Sequence, residues 1–478
     1  MPLSPLKFFI LTAFLFGSLY ALIVPPFQVP DEFNHFYRSW QLTEANTERG
    51  LTAIRTNDNR VGGELPLSLK FISQPFRALP FHFDNKTSKD FIFNMLKIPL
   101  ENDKKTFFDF PNTGLYAPTA YVPQAFTISL LKQFNCPPLY IFYATRFATL
   151  FLWIFIGGIA IKTTPVAKWL MVFMALLPTS LFINSGNNAD VISNALSFFI
   201  FAFILKWLIQ KDVIPLKNLL FWGIAITILS LNKIVYCPLL FLILLIEKEK
   251  FGGFKPKMLY FTSIFILNIA VIAWWLSLIR PLQITFDEYH TLYRTVLPQP
   301  LNENVNHVAQ LHFILQHPFQ YSKILIYSLL KSSPHTLIHY LGKFGWEKNY
   351  LPLGINFMLF LVLILRGVSE TNFTLEKKKM WMIKLVFIVV GIMMMLGVAT
   401  FLYLNSCAVG GDFIYNLSGK YFIPIFPLFF LALGSSYLND KRAQYGWGRY
   451  VLNTRFQAAL LVFALIYGVF EAVLRYYV

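Results

Sequence analysis

The stretch Pro25–Gln41, PPFQVPDEFNHFYRSWQ, places two adjacent carboxylates, Asp31 and Glu32, directly after the first apolar run. A carboxylate in such a position can accept a proton from a hydroxyl as that hydroxyl attacks an activated carbon. Pro30 followed by Asp31 predicts a helix over 31–42 with Asp31 as its N-cap. At helical spacing Asp31, Asn34, His35 and Arg38 then share one side, and Phe33, Phe36, Tyr37 and Trp40 the other. The aromatic side suits a helix lying in the membrane–water interface. The competing reading makes Asp31 a cap only and the polar side a solvated surface.

Further groups with chemical potential recur next to apolar segments, where polar side chains are costly. Tyr116, Pro118, Tyr121, Pro123 and Gln124 punctuate TGLYAPTAYVPQ, and Asn187 and Asn188 lie in the NSGNNAD turn that ends at Asp190. Gly411–Pro424, GDFIYNLSGKYFIP, delivers Lys420 and Tyr421 to the start of a late apolar run. A leaving phosphate needs cations or amides, which Lys420, Arg38 and the Asn187–Asn188 turn offer. Each has a plainer reading: Asp190 as an N-cap, the amides as turn formers, the tyrosines as interface aromatics, Lys420 snorkelling. Arg146, one turn inside an apolar run, suits an ion pair as well as a substrate contact, and Lys233 in a turn is equally ambiguous. His307, His312, His317, His335 and His339 show no ligand spacing, and Cys136, Cys237 and Cys407 form no metal or disulfide pattern.

The elements that must hold these groups are membrane spans. Of 478 residues 56% are hydrophobic and only 14% charged, with mean hydropathy +0.54, whereas a soluble chain carries about a quarter charged. The net charge of +17 is spread through short loops, so it speaks for topology and for anionic lipid headgroups, not for nucleic acid. Windows long enough to cross fall at about 6–24, 141–161, 166–183, 190–208, 258–279, 381–404, 421–438 and 455–473, with shorter ones at 217–231, 235–247 and 351–366. Residues 6–24 lack a cleavage site before Pro25 and are expected to be a retained span. With the N-terminus inside, Lys162, Lys168, Lys206, Lys211, Lys217, Lys248–Lys257, Arg366, Lys377–Lys379, Lys441, Arg442, Arg449 and Arg455 all fall on the inner side. That parity demands eleven spans, makes 117–133 a partly embedded outer helix, and places every candidate group on the outer face. The expected architecture is a single all-α polytopic domain, 1–478. Its outer segments, 25–140 and 280–350, pack on the bundle as loops and surface helices.

The order of these motifs resembles a known family. A first span, P-D-E-x-x-H-x-x-R, Y-x-P-x-x-Y-x-P-Q, an Arg early in the second span, a third span ending L-P before a Ser/Asn turn to Asp, and a late G-K-Y-F-x-P occur in sequence. This is similar to a family of bacterial multi-pass membrane proteins labelled as a domain of unknown function. That family itself resembles the GT-C superfamily of glycosyltransferases, which includes protein O-mannosyltransferases and aminoarabinose transferases. The resemblance implies a polyprenyl-phosphate sugar donor, a glycan or lipid acceptor and inversion at the anomeric carbon. It implies Asp31 as base with Glu32 as second choice, and Asp190 as the second acidic residue. Lys420, Arg38 and Arg146 would hold phosphate, and His35, Tyr116 and Tyr121 would line the pocket. Family members carry G-R-Y-F where this chain has Gly419-Lys420-Tyr421-Phe422, keeping the charge without the planar fork. No cofactor is required by the sequence, and a divalent cation is compatible with it. The alternatives are a transporter or flippase of lipid-linked sugars, or a non-catalytic assembly subunit. Placement of Asp31 and Asp190 within about 10 Å, where one sugar touches both, favours the enzyme.

Overall fold

The computed structural model describes residues 4–44, 50–297, 302–346, 349–371, 377–434 and 453–478. Lys441, Arg442, Arg449 and the end of the span expected at 421–438 lie outside the described residues. Among the described residues, seven helices are long and apolar enough to cross a membrane. They are α1 (Pro5–Ile23), α6 (Pro138–Thr163), α9 (Asp190–Ile209), α11 (Phe254–Ile279), α14 (Leu353–Glu370), α15 (Lys377–Ser406) and α17 (Thr454–Tyr477). Prolines at the first turns of α1 and α6 start those helices where a missing N–H costs nothing.

The other expected crossings are shorter or broken. The run at 166–183 forms α7 (Lys168–Ala175) and α8 (Pro178–Asn184). Pro178 forces Leu177 into an extended conformation, φ −51° and ψ 140°, and breaks the run there. Residues 170–195 are buried throughout, which is where irregular backbone at membrane depth is tolerated. The pair at 217–247 is α10 (Leu216–Asn232) followed by a 3-10 helix, Ile234–Leu245, with Lys233 between them. The late run begins as a 3-10 turn, Gly419–Phe422, and continues as α16 (Phe426–Ala432).

Contacts at the helix ends sort the bundle into two ends. At one, Glu370 at the end of α14 accepts the N–H groups of Trp169 and Leu170 at 2.9 and 3.1 Å. There too Lys250 donates to the carbonyl of Trp207 near the end of α9 at 2.8 Å, and Arg366 to Thr454 at the start of α17 at 2.9 Å. These are the basic loops that the charge rule groups on one side. At the opposite end Tyr477 of α17 donates to the Ile23 carbonyl of α1 at 2.9 Å. Both long segments lie there.

The first long segment holds α2 (Glu32–Gln41), the short helices α3 (Ser68–Ser73) and α4 (Lys89–Met95), and α5 (Val122–Lys132). It also contains an antiparallel sheet, ordered β1 (Ile54–Arg55), β2 (Val61–Pro66), β3 (Lys105–Asp109). The all-α expectation omits this sheet. Its central strand, VGGELP, carries a weak strand signature, and Gly62 is needed because a Cβ there would sit 1.8 Å from the Phe108 carbonyl oxygen.

The sheet corrects the placing of α2. All ten residues of that helix are buried. Phe33, Phe36, Tyr37 and Trp40 pack with Val61, Leu65, Phe108, Phe142 and Trp275 in a second hydrophobic core, not in the interface. Helix α5, 11 residues and so about 16 Å long, is too short to cross, as parity requires.

The second segment is more helical than a loop, with α12 (His307–Gln316) and the 25-residue α13 (Pro318–Gly342). The two segments are riveted together. Arg60 pairs with Asp109 at 2.7 Å and stacks over Tyr293, 3.7 Å from the ring centre, while Tyr289 donates to Asp109. Near the end of α17, Arg475 donates to the carbonyls of Leu79 and Asn85 at 2.7 and 3.1 Å, fixing the first segment to the bundle.

Candidate active site

Asp31 adopts the left-handed conformation, φ 68° and ψ 3°, which a non-glycine residue holds only at a cost. Its carbonyl accepts the His35 N–H at 3.1 Å and so opens α2. Its carboxylate makes no capping bond and instead pairs with Lys420 at 2.7 Å. The reading of Asp31 as a mere cap therefore does not describe this helix. The side chain retains 26% exposure, so it is only partly covered by the protein.

Glu32 is placed differently. It is fully buried and forms a two-point pair with Arg146, Nε to Oε1 at 2.8 Å and Nη2 to Oε2 at 2.6 Å. It also accepts the backbone N–H of Asn187 at 2.9 Å. Arg146 spends its remaining donors on the carbonyls of Ala21, Val24 and Pro25 at 2.9, 2.6 and 2.9 Å. Five N–H groups are all that a guanidinium has. Arg146 as a phosphate holder and Glu32 as a base are thus both corrected: the pair staples α1, α2, α6 and the 184–190 turn together.

Arg38 is corrected on the same ground. It is buried and donates to Gln41, to the Leu51 carbonyl and to the Tyr116 carbonyl, the last at 3.2 Å, so it positions Tyr116 from behind. The amides of the turn are likewise internal. Asn187 donates to the Phe142 carbonyl at 3.2 Å and Asn188 to the Ile183 carbonyl at 2.7 Å. Asn188 Oδ1 accepts the Asp190 N–H at 2.9 Å, and Gln124 donates to the Asn188 carbonyl at 3.2 Å. Asp190 itself is not the cap of α9. Its carboxylate leaves the helix start and pairs with Lys233.

These two carboxylate–lysine pairs meet at one ring. Lys420 Nζ lies 5.2 Å and Lys233 Nζ 5.0 Å from the centre of Tyr421, whose carbonyl is fixed by the Tyr236 hydroxyl at 2.9 Å. Burial disfavours the charge on Lys420, but Asp31, Tyr421 and Asp190 raise its pKa well above the ordinary lysine value, so it stays cationic. Gly419 precedes it because the turn lies flush on α13: a Cβ there would sit 2.1 Å from the Tyr340 nitrogen.

His35 completes the group, its Nδ1 2.7 Å from the Tyr121 hydroxyl and its ring 5.6 Å from that of Tyr116. Burial lowers the imidazole to about 4, against the raising influence of Asp31 and Asp190, so it is neutral at pH 7. A folded value below the unfolded 6.5 means that the unfolded chain takes up the proton first. Stability is therefore lost as pH falls from about 6.5 to about 4, by up to about 3 kcal/mol. His35→Gln keeps an acceptor for Tyr121, and thermal unfolding of this variant should show a shallower acid limb across that window.

A cavity of about 240 Å³ opens beside the group. Ile272, Trp275, Leu276 and Ile279 of α11 and Val398, Phe401 and Leu402 of α15 wall it with apolar surface, and Tyr116, Asn232, Lys233 and Tyr421 form its head. A more polar cleft of about 610 Å³ adjoins it, sharing Leu276 and Gln283 and lined by Arg280, Glu288 and His307. Among the described residues no group of three or more His, Cys, Asp or Glu side chains gathers as a metal site would. Asn232, Lys233, Tyr236 and Trp275 are absent from the sequence-derived site. Only Lys233, a lone cation between two apolar runs, gave a signal.

The family model described as "Predicted membrane protein (DUF2142)" matches residues 14–429. No curated protein and no solved structure matches the chain.

Proposed function

The chain belongs to that family of membrane proteins, and we propose that it is an inverting glycosyltransferase of GT-C type. In this reading eleven crossings place the N-terminus in the cytoplasm and the site on the outer face of the cytoplasmic membrane. The donor is a polyprenyl-phosphate sugar and the acceptor a surface glycan or lipid. The observation that supports it best is the pair of carboxylate–lysine couples flanking Tyr421 at the head of an apolar cavity. An amphiphile with a sugar phosphate head fits such a place, its tail against α11 and α15.

Asp31 takes the proton of the acceptor hydroxyl while the hydroxyl oxygen bonds to the anomeric carbon from the face opposite the phosphate. The bond from that carbon to the phosphate oxygen breaks, and the electron pair leaves with the lipid phosphate. Lys420 and Lys233 supply the positive charge that the leaving group needs, and Asp190 orients the acceptor or donor. Cells lacking the protein are expected to make a surface glycan lighter by one sugar residue, restored by the wild-type chain. Mass analysis of that glycan tests the reading, and an unchanged glycan sinks it.

A further inference from the structure

Beside the head of the apolar cavity lies a buried donor that nothing among the described residues satisfies. Asn232, at the end of α10, is 6% exposed, and its Oδ1 accepts the Thr119 hydroxyl at 2.6 Å. Asn232 lines the cavity head, and its Nδ2 is buried behind that surface with no hydrogen-bond partner among the described residues, a costly arrangement until an acceptor arrives. The next residue, Lys233, presents an ammonium at the same place. No Asp or Glu is among the cavity's described lining residues, and Lys233 brings a cation to its head.

The geometry points to Asn232 and Lys233 as an anion-binding pair, and to an exchange in which a lipid phosphate entering the cavity displaces Asp190 from Lys233. The inference rests on the proposed function for the identity of the lipid. One ammonium between a carboxylate and a phosphate sets two anions against each other across a few ångströms, and the repulsion favours separation. Asp190 is not stranded by leaving. It sits at the N-terminus of the 20-residue α9, where the helix dipole favours a negative charge, and Lys420 also faces it. Occupation of the cavity by donor thus turns a neutralised carboxylate into a free one beside Tyr421, coupling arrival of the lipid to preparation of the site.

The full-length protein in lipid nanodiscs is titrated with a polyprenyl phosphate, the polyprenol of equal length, and inorganic phosphate. Lys233→Met and Asn232→Asp should each weaken the polyprenyl phosphate by about tenfold or more, since each removes or opposes a charge-assisted contact. Asp190→Asn should bind it about tenfold more tightly, because the competing carboxylate is gone. Polyprenol should bind all variants alike, and inorganic phosphate far more weakly than the lipid. In wild-type protein, binding should shift the carboxylate stretching band that Asp190→Asn removes from the infrared difference spectrum. The double variant Lys233→Met/Asp190→Asn, which leaves no unpaired charge, guards against simple misfolding and should bind as weakly as Lys233→Met.

Weaker binding by Asp190→Asn, or an unshifted band in the wild type, overturns the exchange. Equal affinity for inorganic and lipid phosphate overturns the lipid assignment. The expected binding pattern with an unchanged surface glycan in cells lacking the protein would overturn the transferase reading and leave this inference standing.

Discussion

Asp31→Asn is expected to lower sugar transfer by about 10²–10⁴-fold, the range that a well-placed general base contributes, while the protein inserts and folds as before. Asn tolerates the left-handed backbone that Asp31 occupies, so the turn into α2 is kept. What disappears is the lone pair that takes the proton in the proposed reaction, together with the partner of Lys420. Transfer measured with purified protein and a polyprenyl-phosphate sugar, alongside thermal unfolding, separates chemistry from folding. Retention of more than about a tenth of wild-type activity would remove Asp31 as the base.

Glu32→Gln is expected to do the opposite, costing stability on the order of 3–5 kcal/mol because it leaves the Arg146 guanidinium buried without a counter-charge. Both side chains are fully buried, so water does not replace the lost carboxylate. The thermal midpoint and the yield of folded protein should fall sharply. Glu32→Gln combined with Arg146→Met should recover part of the loss, since the stranded charge is then absent. A Glu32→Gln protein as stable as wild type but inactive would instead make Glu32 the base. The two neighbouring carboxylates therefore part company by a stability measurement alone.

How far the sequence carried differs between these two residues. Long apolar runs were legible because bilayer thickness dictates their length. The basic loops, sorted by sign, fall at one end of the bundle. The motif around Asp31 stood out because carboxylates beside a span are rare. The partners could not be read. Spacing along α2 puts Arg38 beside His35 and Asp31, yet its guanidinium turns to the backbone carbonyls of Leu51 and Tyr116, which lie outside the helix. Lys233 carries no local motif, and its pairing with Asp190 spans 43 residues of chain. The sheet escaped notice because two adjacent glycines in VGGELP mute the alternation that marks a strand. Pro178 did signal a break, but whether the broken run could be buried depended on helices elsewhere.

The two ion pairs beside Pro30 close on different timetables during biogenesis. Glu32 finds Arg146 after 114 residues, so the scaffold's staple is available once α6 has left the ribosome. Asp31 waits 389 residues for Lys420, and Arg475 secures the overlying segment later still. A nascent chain can thus close its framework pair well before Asp31 meets its counter-ion.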